Sequence, residues 1–287
     1  MRLNGLTVGM VLCSSLLAFA CRSTSATAPD QTQLTDQIAP SPSRHSFALT
    51  QNKMQLLQRH ARAITVKVIS GDDWGSGILI RQQGQRYTVL TNEHVLWIGD
   101  RYTVQTYDGK QHLAQRQSSG KFGKNDLGLL EFSSTPSTIY PVAEIGCSLE
   151  LSAGTPVYAA GFPLPLMESS PKGFKFTTGA ISLIASKALE GGYQVGYSND
   201  IEKGMSGGPV LNAKGEVIAV NGMHQEPLWG DPYIYQDGSK PKSSLFSMFS
   251  RSSWAIPMET ALRTKALTAA HFSRQCPTAS SVRQAKG

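Results

Sequence analysis

Three short segments of the 287-residue chain carry side chains that could together perform nucleophilic chemistry. His94 lies in TNEHVL at the end of a β-branched run, Asp126 opens the apolar run NDLGLLEF, and Ser206 stands among glycines in GMSGGPV. Each has an ordinary explanation when taken alone, as a structural histidine, a turn aspartate or a tight turn. Taken together, and each beside a predicted strand, they indicate a single site.

The chemistry of acyl transfer requires these residue types. A serine hydroxyl is a poor nucleophile unless a base takes its proton, and an imidazole titrates near the working pH. A carboxylate can fix the tautomer of that imidazole and stabilise the imidazolium that forms. The glycines serve another need, because backbone N–H groups must face the developing oxyanion without a side chain in the way. By this logic the N–H groups of Gly204 and Ser206 form an oxyanion hole, which typically supplies about 3 to 4 kcal/mol per donor.

The run from Gly204 to Gly208 also satisfies G-x-S-x-G, the nucleophile elbow of α/β-hydrolases. An elbow must lead directly into a helix, but here Pro209 leads into an apolar run and then a turn. The base would have to be His224 or His271, and no βαβ pattern surrounds the serine. A lipase or esterase is therefore disfavoured.

The elements that must position these residues are mostly strands. Many short β-branched or apolar runs follow one another with glycine-bearing turns, which predicts an all-β protein, a sandwich or two small barrels. The predicted strands are 64–69, 75–81, 86–91, 102–107, 127–132, 156–160, 174–184, 193–197, 209–211, 217–220 and 253–256. Helical spacing predicts one short helix over Leu49–Ala63 and another over Glu259–Lys265.

The amino terminus predicts export. Met1-Arg2 is followed by a mostly apolar stretch and by Ala18-Phe19-Ala20, the layout of a signal peptide over residues 1–20. Cys21 then stands where bacterial lipoproteins are acylated, so the chain is either a lipoprotein anchored at Cys21 or a plainly secreted or periplasmic protein. Residues 21–48 are rich in Ser, Thr and Pro, which predicts a flexible linker. No later segment reaches about 18 uninterrupted apolar residues, the length that a membrane span needs.

Charge and cysteine content exclude other classes. The chain has 27 Lys+Arg against 20 Asp+Glu, but no basic run and no basic–aromatic interleaving, so nucleic-acid binding is disfavoured. Cys147 and Cys276 are either one disulfide or two buried thiols. No metal-ligand spacing and no phosphate loop occurs, so no cofactor is expected.

The segments TNEHV, NDLGLLEF and GMSGGPVL resemble the trypsin-like (chymotrypsin-fold) serine peptidases, especially their bacterial exported branch, over roughly residues 62–260. The resemblance implies two six-stranded antiparallel barrels, roughly residues 62–140 and 150–260, with the site in the cleft between them. The peptidase domain would span 49–275, followed by a polar tail over 276–287. The segment Ser253-Trp-Ala-Ile-Pro257 and the helix after it are similar to the end of HtrA-type peptidase domains, and we expect no PDZ module.

The same resemblance implies a serine endopeptidase in which His94 is the base, Asp126 orients it and Ser206 forms an acyl-enzyme. Its partners would be protein or peptide substrates, with no nucleic acid, and it would contact a membrane only through a lipid anchor at Cys21. Two alternatives stay open. One is a catalytically silent domain that binds peptides or protein partners, against which the retained Gly204 argues. The other is a surface-tethered processing enzyme.

The chain departs from the family at positions that affect regulation and specificity. Met205 replaces the aspartate that pairs with the new amino terminus of an activated zymogen, so regulation must differ. Asp200 lies six residues before Ser206, where trypsin carries the aspartate that selects Arg and Lys, or else it is a surface loop residue. Asn221 stands where some glutamate-specific relatives carry a histidine, which disfavours glutamate specificity.

Overall fold

The computed structural model describes residues 44–97, 99–118, 122–148, 151–165, 173–225, 232–263 and residue 267. The predicted signal peptide, Cys21, Cys276 and the polar tail lie outside the described residues. The described residues form twelve strands arranged in two closed barrels.

The first barrel closes in the order β1-β2-β3-β6-β5-β4, with every neighbouring pair antiparallel. Its strands are β1 (Thr65–Ser70), β2 (Asp73–Gln83), β3 (Arg86–Thr91), β4 (Tyr102–Gln105), β5 (Gln111–Arg116) and β6 (Gly128–Ser133).

The second barrel closes in the order β10-β11-β12-β9-β8-β7, again with every neighbouring pair antiparallel. Its strands are β7 (Pro156–Gly161), β8 (Lys175–Ile184), β9 (Val195–Tyr197), β10 (Pro209–Leu211), β11 (Val217–Met223) and β12 (Ser253–Pro257). The prediction of two six-stranded antiparallel barrels is therefore confirmed.

Three hydrophobic cores hold these strands. One fills the first barrel around Val66, Val89 and Leu130, and a second fills the other barrel around Val157, Val210 and Ile218. The third lies between the barrels, because it joins side chains of both. Its fully buried members include Ile78, Leu90, Leu211, Trp254 and Ile256. The two barrels thus share one of the three apolar clusters.

The helix α1 (Arg44–Ile64) precedes the first barrel and begins five residues before the predicted start, so residues 44–48, which the sequence assigned to the linker, are helical. Pro42 is the last proline before it, and nothing between Arg44 and Leu49 opposes helix formation. Leu57, Ala61 and Ile64, spaced four and three residues apart, are its buried face. Among the described residues, no helix is both long and apolar enough to cross a membrane.

Short helices complete the fold. A 3₁₀ helix (His94–Trp97) follows β3, and another (Ser243–Leu245) leads into α2 (Phe246–Ser250). The helix α3 (Met258–Leu262) follows β12 and begins one residue before the predicted position. Pro257 sets its start, because the proline lies at the helix boundary with φ −55° and ψ 141°, outside the helical region.

Candidate active site

Strand register brings His94 and Asp126 together. In the antiparallel pair of β3 and β6, Thr91 at the end of β3 lies opposite Gly128 at the start of β6. His94 comes three residues after Thr91 and Asp126 two residues before Gly128, so both side chains lie at the same edge of the first barrel. Strand β3 is rich in β-branched residues and is buried from Tyr87 to Thr91, which holds this edge in place.

Asp126 binds His94 through both carboxylate oxygens. The backbone N–H of His94 donates to Oδ1 at 2.9 Å, and the ring Nδ1 lies 2.6 Å from Oδ2. A carboxylate can only accept, so the ring proton resides on Nδ1 and Nε2 is left with its lone pair. The imidazole is 37% exposed, so that Nε2 can reach a substrate or a nucleophile.

The electrostatics of Asp126 favour the ionised form. Burial alone would raise the pKa of this carboxyl group, but the hydrogen bonds and charge of His94 and the hydroxyl of Tyr193 outweigh it. The pKa of Asp126 is therefore lowered from its ordinary value. An ionised carboxylate at this position stabilises a positive charge on the imidazole.

Tyr193 is a member of the site that the sequence did not single out. Its hydroxyl donates to Oδ2 of Asp126, the same oxygen that faces His94. Burial, and then the negative charge of Asp126, raise the pKa of Tyr193 well above its ordinary value, so the hydroxyl keeps its proton. The contact joins residues 67 positions apart, one from each barrel, and no local sequence pattern indicates it.

Ser206 is contributed by the turn that precedes β10. Its carbonyl accepts a hydrogen bond from the backbone N–H of Ser76 in β2 at 2.8 Å, which ties the serine to the first barrel. On the other side, the N–H of Gly207 donates to the carbonyl of Asn221 in β11 at 2.7 Å. The turn is thus held between a strand of each barrel, with Ser206 half-buried at the surface between them.

Gly204 adopts a conformation that only glycine adopts readily. Its φ is +93°, and a Cβ atom added there would lie 2.6 Å from the carbonyl oxygen of Phe162. Within the described part of the chain, the N–H groups of Gly204 and Ser206 donate no hydrogen bond to the protein, whereas Met205 between them donates to Glu202 at 3.0 Å. Two free amides in one turn match the donors that an oxyanion hole needs.

Ser76 is a second residue that sequence reasoning missed. Its buried hydroxyl donates to the carbonyl of Gly204 at 2.8 Å and accepts from the N–H of Phe162 at 2.8 Å. One side chain of the first barrel thereby fixes the turn that carries Gly204 and the segment after β7. The residues it joins are 86 and 128 positions away, so adjacent sequence carries no signal of them.

The hydroxyl of Ser206 does not bond to His94. It donates instead to the carbonyl of Gly222 at 3.2 Å, and among the described residues no hydrogen bond joins it to the imidazole. Rotation about the Cα–Cβ bond of the serine would release the hydroxyl from Gly222. Loose or misaligned hydrogen bonds of this kind are common in sites without a substrate.

Met205 and Asn221 lie beneath the turn rather than in the cleft. Both are fully buried, and the Asn221 amide donates to the carbonyl of Met205 at 2.9 Å and accepts from the hydroxyl of Tyr197. Sequence analysis placed Asn221 among the residues that select the substrate. In the structure its side chain supports the turn, and a part in substrate selection stays a prediction.

The exposure of Asp200 distinguishes between its two interpretations. A carboxylate at the base of a specificity pocket would be buried, but the side chain of Asp200 is 71% exposed and pairs with Lys175 at 2.6 Å. Lys175 contacts Glu202 as well, and although its partial burial opposes this, the two carboxylates raise the pKa of the lysine. Asp200 is therefore a surface loop residue, the second of the two interpretations of this position.

Other predicted features fall partly outside the described residues. Cys147 is disulfide-bonded, and its predicted partner Cys276 lies outside the described residues, so their pairing stays a prediction. Among the described residues, no group of three or more His, Cys, Asp or Glu side chains could hold a metal ion.

Two antiparallel six-stranded barrels, with a His–Asp pair on one and a glycine-flanked serine held against the other, define the chymotrypsin-like class of peptidase domains. Comparison with known families agrees, since residues 75–220 match the model of the trypsin-like peptidase domain. This match covers just over half of the chain, and the chain belongs to that family.

Curated relatives are HtrA-type proteases. The chain is 30% identical over 151 residues to the serine protease Do-like HtrB of Bacillus subtilis, covering 52% of this chain and 32% of that protein. It is 31% identical over 153 residues to the putative serine protease HhoA of Synechocystis, covering 51% and 36%. A probable periplasmic serine endoprotease, DegP-like, of Hahella chejuensis is 32% identical over 151 residues, covering 51% and 29%. The chain spans about a third of the length of these relatives.

The fold has a solved counterpart in the HtrA-type protease AlgW with tripeptide. The TM-score is 0.52 at 21% sequence identity, and the likeness covers 71% of this chain and 60% of that one. At this identity the comparison concerns the fold alone, and it agrees with the double-barrel topology.

Proposed function

We propose that the chain is an exported serine endopeptidase that hydrolyses peptide bonds through an acyl-enzyme on Ser206. In this proposal His94 accepts the serine proton through Nε2 and later donates it to the leaving amine. Asp126 holds the imidazole in the required tautomer, and the N–H groups of Gly204 and Ser206 bind the oxyanion.

The observation that carries this proposal is the double hydrogen bond between Asp126 and His94. Bonds to both the backbone N–H and Nδ1 leave Nε2 as the only ring atom free to act as a base. A histidine with a merely structural role would more often be bonded through both nitrogens. The free amides of Gly204 and Ser206 support the same chemistry from the second barrel.

Export is supported by two observations of different kinds. Residues 1–20 have the layout of a signal peptide, and one of the relatives is named a probable periplasmic endoprotease. We include in the proposal that the mature protein is periplasmic or secreted, and that it is tethered to a membrane if Cys21 is acylated. Labelling with a radioactive or alkyne-bearing fatty acid distinguishes the tethered from the untethered protein, since only the acylated form carries label. The label must be absent from Cys21→Ser.

The experiment that tests the activity uses a fluorophosphonate probe, which reacts with activated serines. The purified chain should be labelled stoichiometrically at Ser206, as determined by intact mass and peptide mapping. Labelling should be lost in Ser206→Ala and in His94→Ala. Equal labelling in wild type and His94→Ala would contradict the proposed base, and label on another serine would contradict the proposed nucleophile.

One observation favours a second candidate function. Because the Ser206 hydroxyl is bonded to Gly222 rather than to His94, the domain could bind peptides without cleaving them. A folded sample that takes no label, yet binds peptides with an affinity unchanged by Ser206→Ala, would support this silent alternative over the peptidase.

A further inference from the structure

A pocket of about 330 Å³ lies beside the nucleophile turn on the side of β2, and none of its lining residues has a part in the proposed triad or oxyanion hole. Its walls are aromatic and basic. They include Lys67, Trp74, Tyr107, Phe162 and Phe174, with Arg62 at the rim. Among the described residues that line the pocket there is no Asp or Glu.

The pocket is close enough to Ser206 to receive part of a bound peptide. Ser76 is hydrogen-bonded to the carbonyl of Ser206, and Trp74 lies two residues earlier on the same strand, about 7 Å away in an extended chain. The indole N–H of Trp74 donates to the carbonyl of Phe162 at 3.0 Å. A Cβ atom at Gly204 would lie 2.6 Å from that same carbonyl oxygen, so Phe162 of the pocket wall lies next to the proposed oxyanion turn.

Lys67 is the charged group that the pocket contains. Lys67 lies in β1, opposite Ser76 of the neighbouring strand β2. Its ammonium group is 3.4 Å from the centre of the Trp74 ring. The side chain is partly buried, and this burial lowers the pKa of Lys67. Arg62 lies over the ring of Phe174 at 5.8 Å. In the described part of the chain, neither cation is paired with a carboxylate.

Two described acidic residues that are close in sequence to pocket residues have other partners. Asp73, next to Trp74, faces Lys203 at 4.0 Å. Asp108 accepts from the hydroxyl of Thr106 at 2.6 Å and pairs with Lys110 at 3.4 Å. The positive charge of the pocket is therefore not neutralised by the described protein, although Lys67 has already lost part of its hydration. A bound anionic ligand would compensate Lys67 for the hydration that its ammonium group has lost on burial.

We infer that this pocket is a substrate subsite for a carboxylate located within three residues of the scissile bond. The inference rests on the proposed function, because a peptidase presents peptides to this surface. The carboxylate belongs either to an acidic side chain or to the carboxyl terminus of a short peptide. Lys67 binds it, Arg62 adds charge at the rim, and the aromatic walls exclude water and pack against the stem of the side chain.

The test uses quenched fluorescent peptides that differ at one residue, which is either Glu or its uncharged isostere Gln. In a series of such peptides, the Glu occupies each position in turn, from the third residue before the scissile bond to the third residue after it. At one position or at two adjacent ones, wild type should cleave the Glu peptide about tenfold faster in kcat/KM than the Gln peptide. A peptide that ends at the same position, compared as free acid and as amide, distinguishes a terminal carboxylate from a side chain.

Variants of Lys67 connect the preference to the pocket. Lys67→Met keeps the apolar stem against Trp74 and removes the charge, so the Glu-to-Gln ratio should fall to within twofold. Lys67→Arg should retain the preference. Lys187→Met is the matched control, because Lys187 also lies over an aromatic ring, that of Tyr235 at 5.8 Å, but does not line this pocket. It should leave the ratio at the wild-type value, and thermal unfolding verifies that each variant is folded.

A binding measurement separates failure of the subsite from failure of the peptidase. The Ser206→Ala chain is titrated into the same peptides carrying fluorescein, and anisotropy gives Kd. Cleavage without any Glu preference overturns the subsite and leaves the peptidase. Absence of cleavage, with Glu-selective binding that Lys67→Met abolishes, overturns the peptidase and supports the subsite. A Glu preference that survives Lys67→Met, or the absence of both cleavage and selective binding, overturns the subsite.

Discussion

Asp126 is the residue on which most of the site converges. It accepts hydrogen bonds from the backbone and ring of His94 and from the hydroxyl of Tyr193. Hydrogen bonds to a charged acceptor contribute about 1.5 to 3 kcal/mol each, more than bonds between neutral groups. A carboxylate held this firmly fixes the direction of the imidazole and keeps its own charge at neutral pH.

The contribution of Tyr193 should therefore depend on pH. Because the pKa of Asp126 is lowered in the folded protein, its contacts stabilise the fold above the unfolded pKa of about 3.9 and are lost as pH falls through the folded value. Tyr193→Phe removes one of the hydrogen bonds that lower the pKa of Asp126. We expect it to reduce the free energy of unfolding by about 1 to 3 kcal/mol at pH 7. The difference in free energy of unfolding between wild type and Tyr193→Phe should become smaller below about pH 4. Urea unfolding at several pH values measures it.

Tyr197→Phe is the control for this measurement. Tyr197 is equally buried, but its hydroxyl donates to the neutral amide of Asn221. Its loss should cost stability by an amount that does not vary between pH 7 and pH 3. A pH-independent deficit for Tyr193→Phe as well would mean that the hydroxyl stabilises packing and not the charge of Asp126.

Replacement of Asp126 by asparagine tests the tautomer. The amide can donate to Nδ1, which would move the ring proton to Nε2 and remove the base. Asp126→Asn should keep the fold and lower kcat by about 10⁴, as in other triads of this kind. Steady-state kinetics with a peptide substrate measures this, with Asp100→Asn, an exposed aspartate near His94, as control. Turnover within tenfold of wild type would remove Asp126 from the proposed mechanism.

At the scale of the elements, eleven of the strands were visible in the sequence because their apolar or β-branched runs are local. Strand β5 was not visible in the sequence. Ala114 is its one buried residue, and QHLAQR shows no apolar alternation. It forms because its backbone completes the barrel between β4 and β6. Closure supplies its hydrogen bonds, and closure is a property of the whole sheet that no short window contains.

Ser76 is the link between elements whose loss should be most informative. Ser76→Ala leaves the N–H of Phe162 and the carbonyl of Gly204 without this partner, at a cost of about 1 to 3 kcal/mol per buried group. The turn that carries the proposed oxyanion donors should loosen. We expect kcat/KM to fall about 10- to 100-fold, since one oxyanion donor alone is worth about 10²- to 10³-fold.

Ser70→Ala provides a matched control for Ser76→Ala. Ser70 is an equally buried serine of the first barrel, but its hydroxyl has no hydrogen-bond partner among the described residues. Its replacement should leave both kcat/KM and the unfolding midpoint nearly unchanged. Equal effects of the two substitutions on activity would show that Ser76 does not act through the turn.

At the scale of the whole molecule, the shared core should make the two barrels unfold together. Side chains from β2 and β3 pack with those from β10, β11 and β12 in one cluster. Hydrogen exchange followed by mass spectrometry should therefore give the same opening free energy for peptides covering β3 and β11. Leu90 belongs to that shared cluster. Leu90→Ala should therefore lower the opening free energies of the β3 and β11 peptides by the same amount, about 2 to 5 kcal/mol. Protection lost in one barrel alone would contradict this.

The difference between local sequence patterns and contacts between distant segments explains which site residues could be predicted. His94, Asp126, Gly204 and Ser206 were indicated by neighbours in sequence, because strand ends and glycine turns leave local patterns. Tyr193 and Ser76 were not, since each acts through a contact between segments far apart in the chain. The sequence left two interpretations of Asp200 open, because its exposure depends on a loop whose path only the folded chain defines.

The contact between Tyr193 and strand β11 constrains how this site can evolve. A Cβ atom at Gly222 would lie 2.5 Å from the Tyr193 hydroxyl, so a side chain there would displace the group that donates to Asp126. The two positions should therefore covary among homologues: a tyrosine at 193 goes with glycine at 222, and lineages with a larger residue at 222 have replaced the tyrosine and stabilise the aspartate by another donor. Substitutions at these positions would be accepted in pairs, and their order would matter.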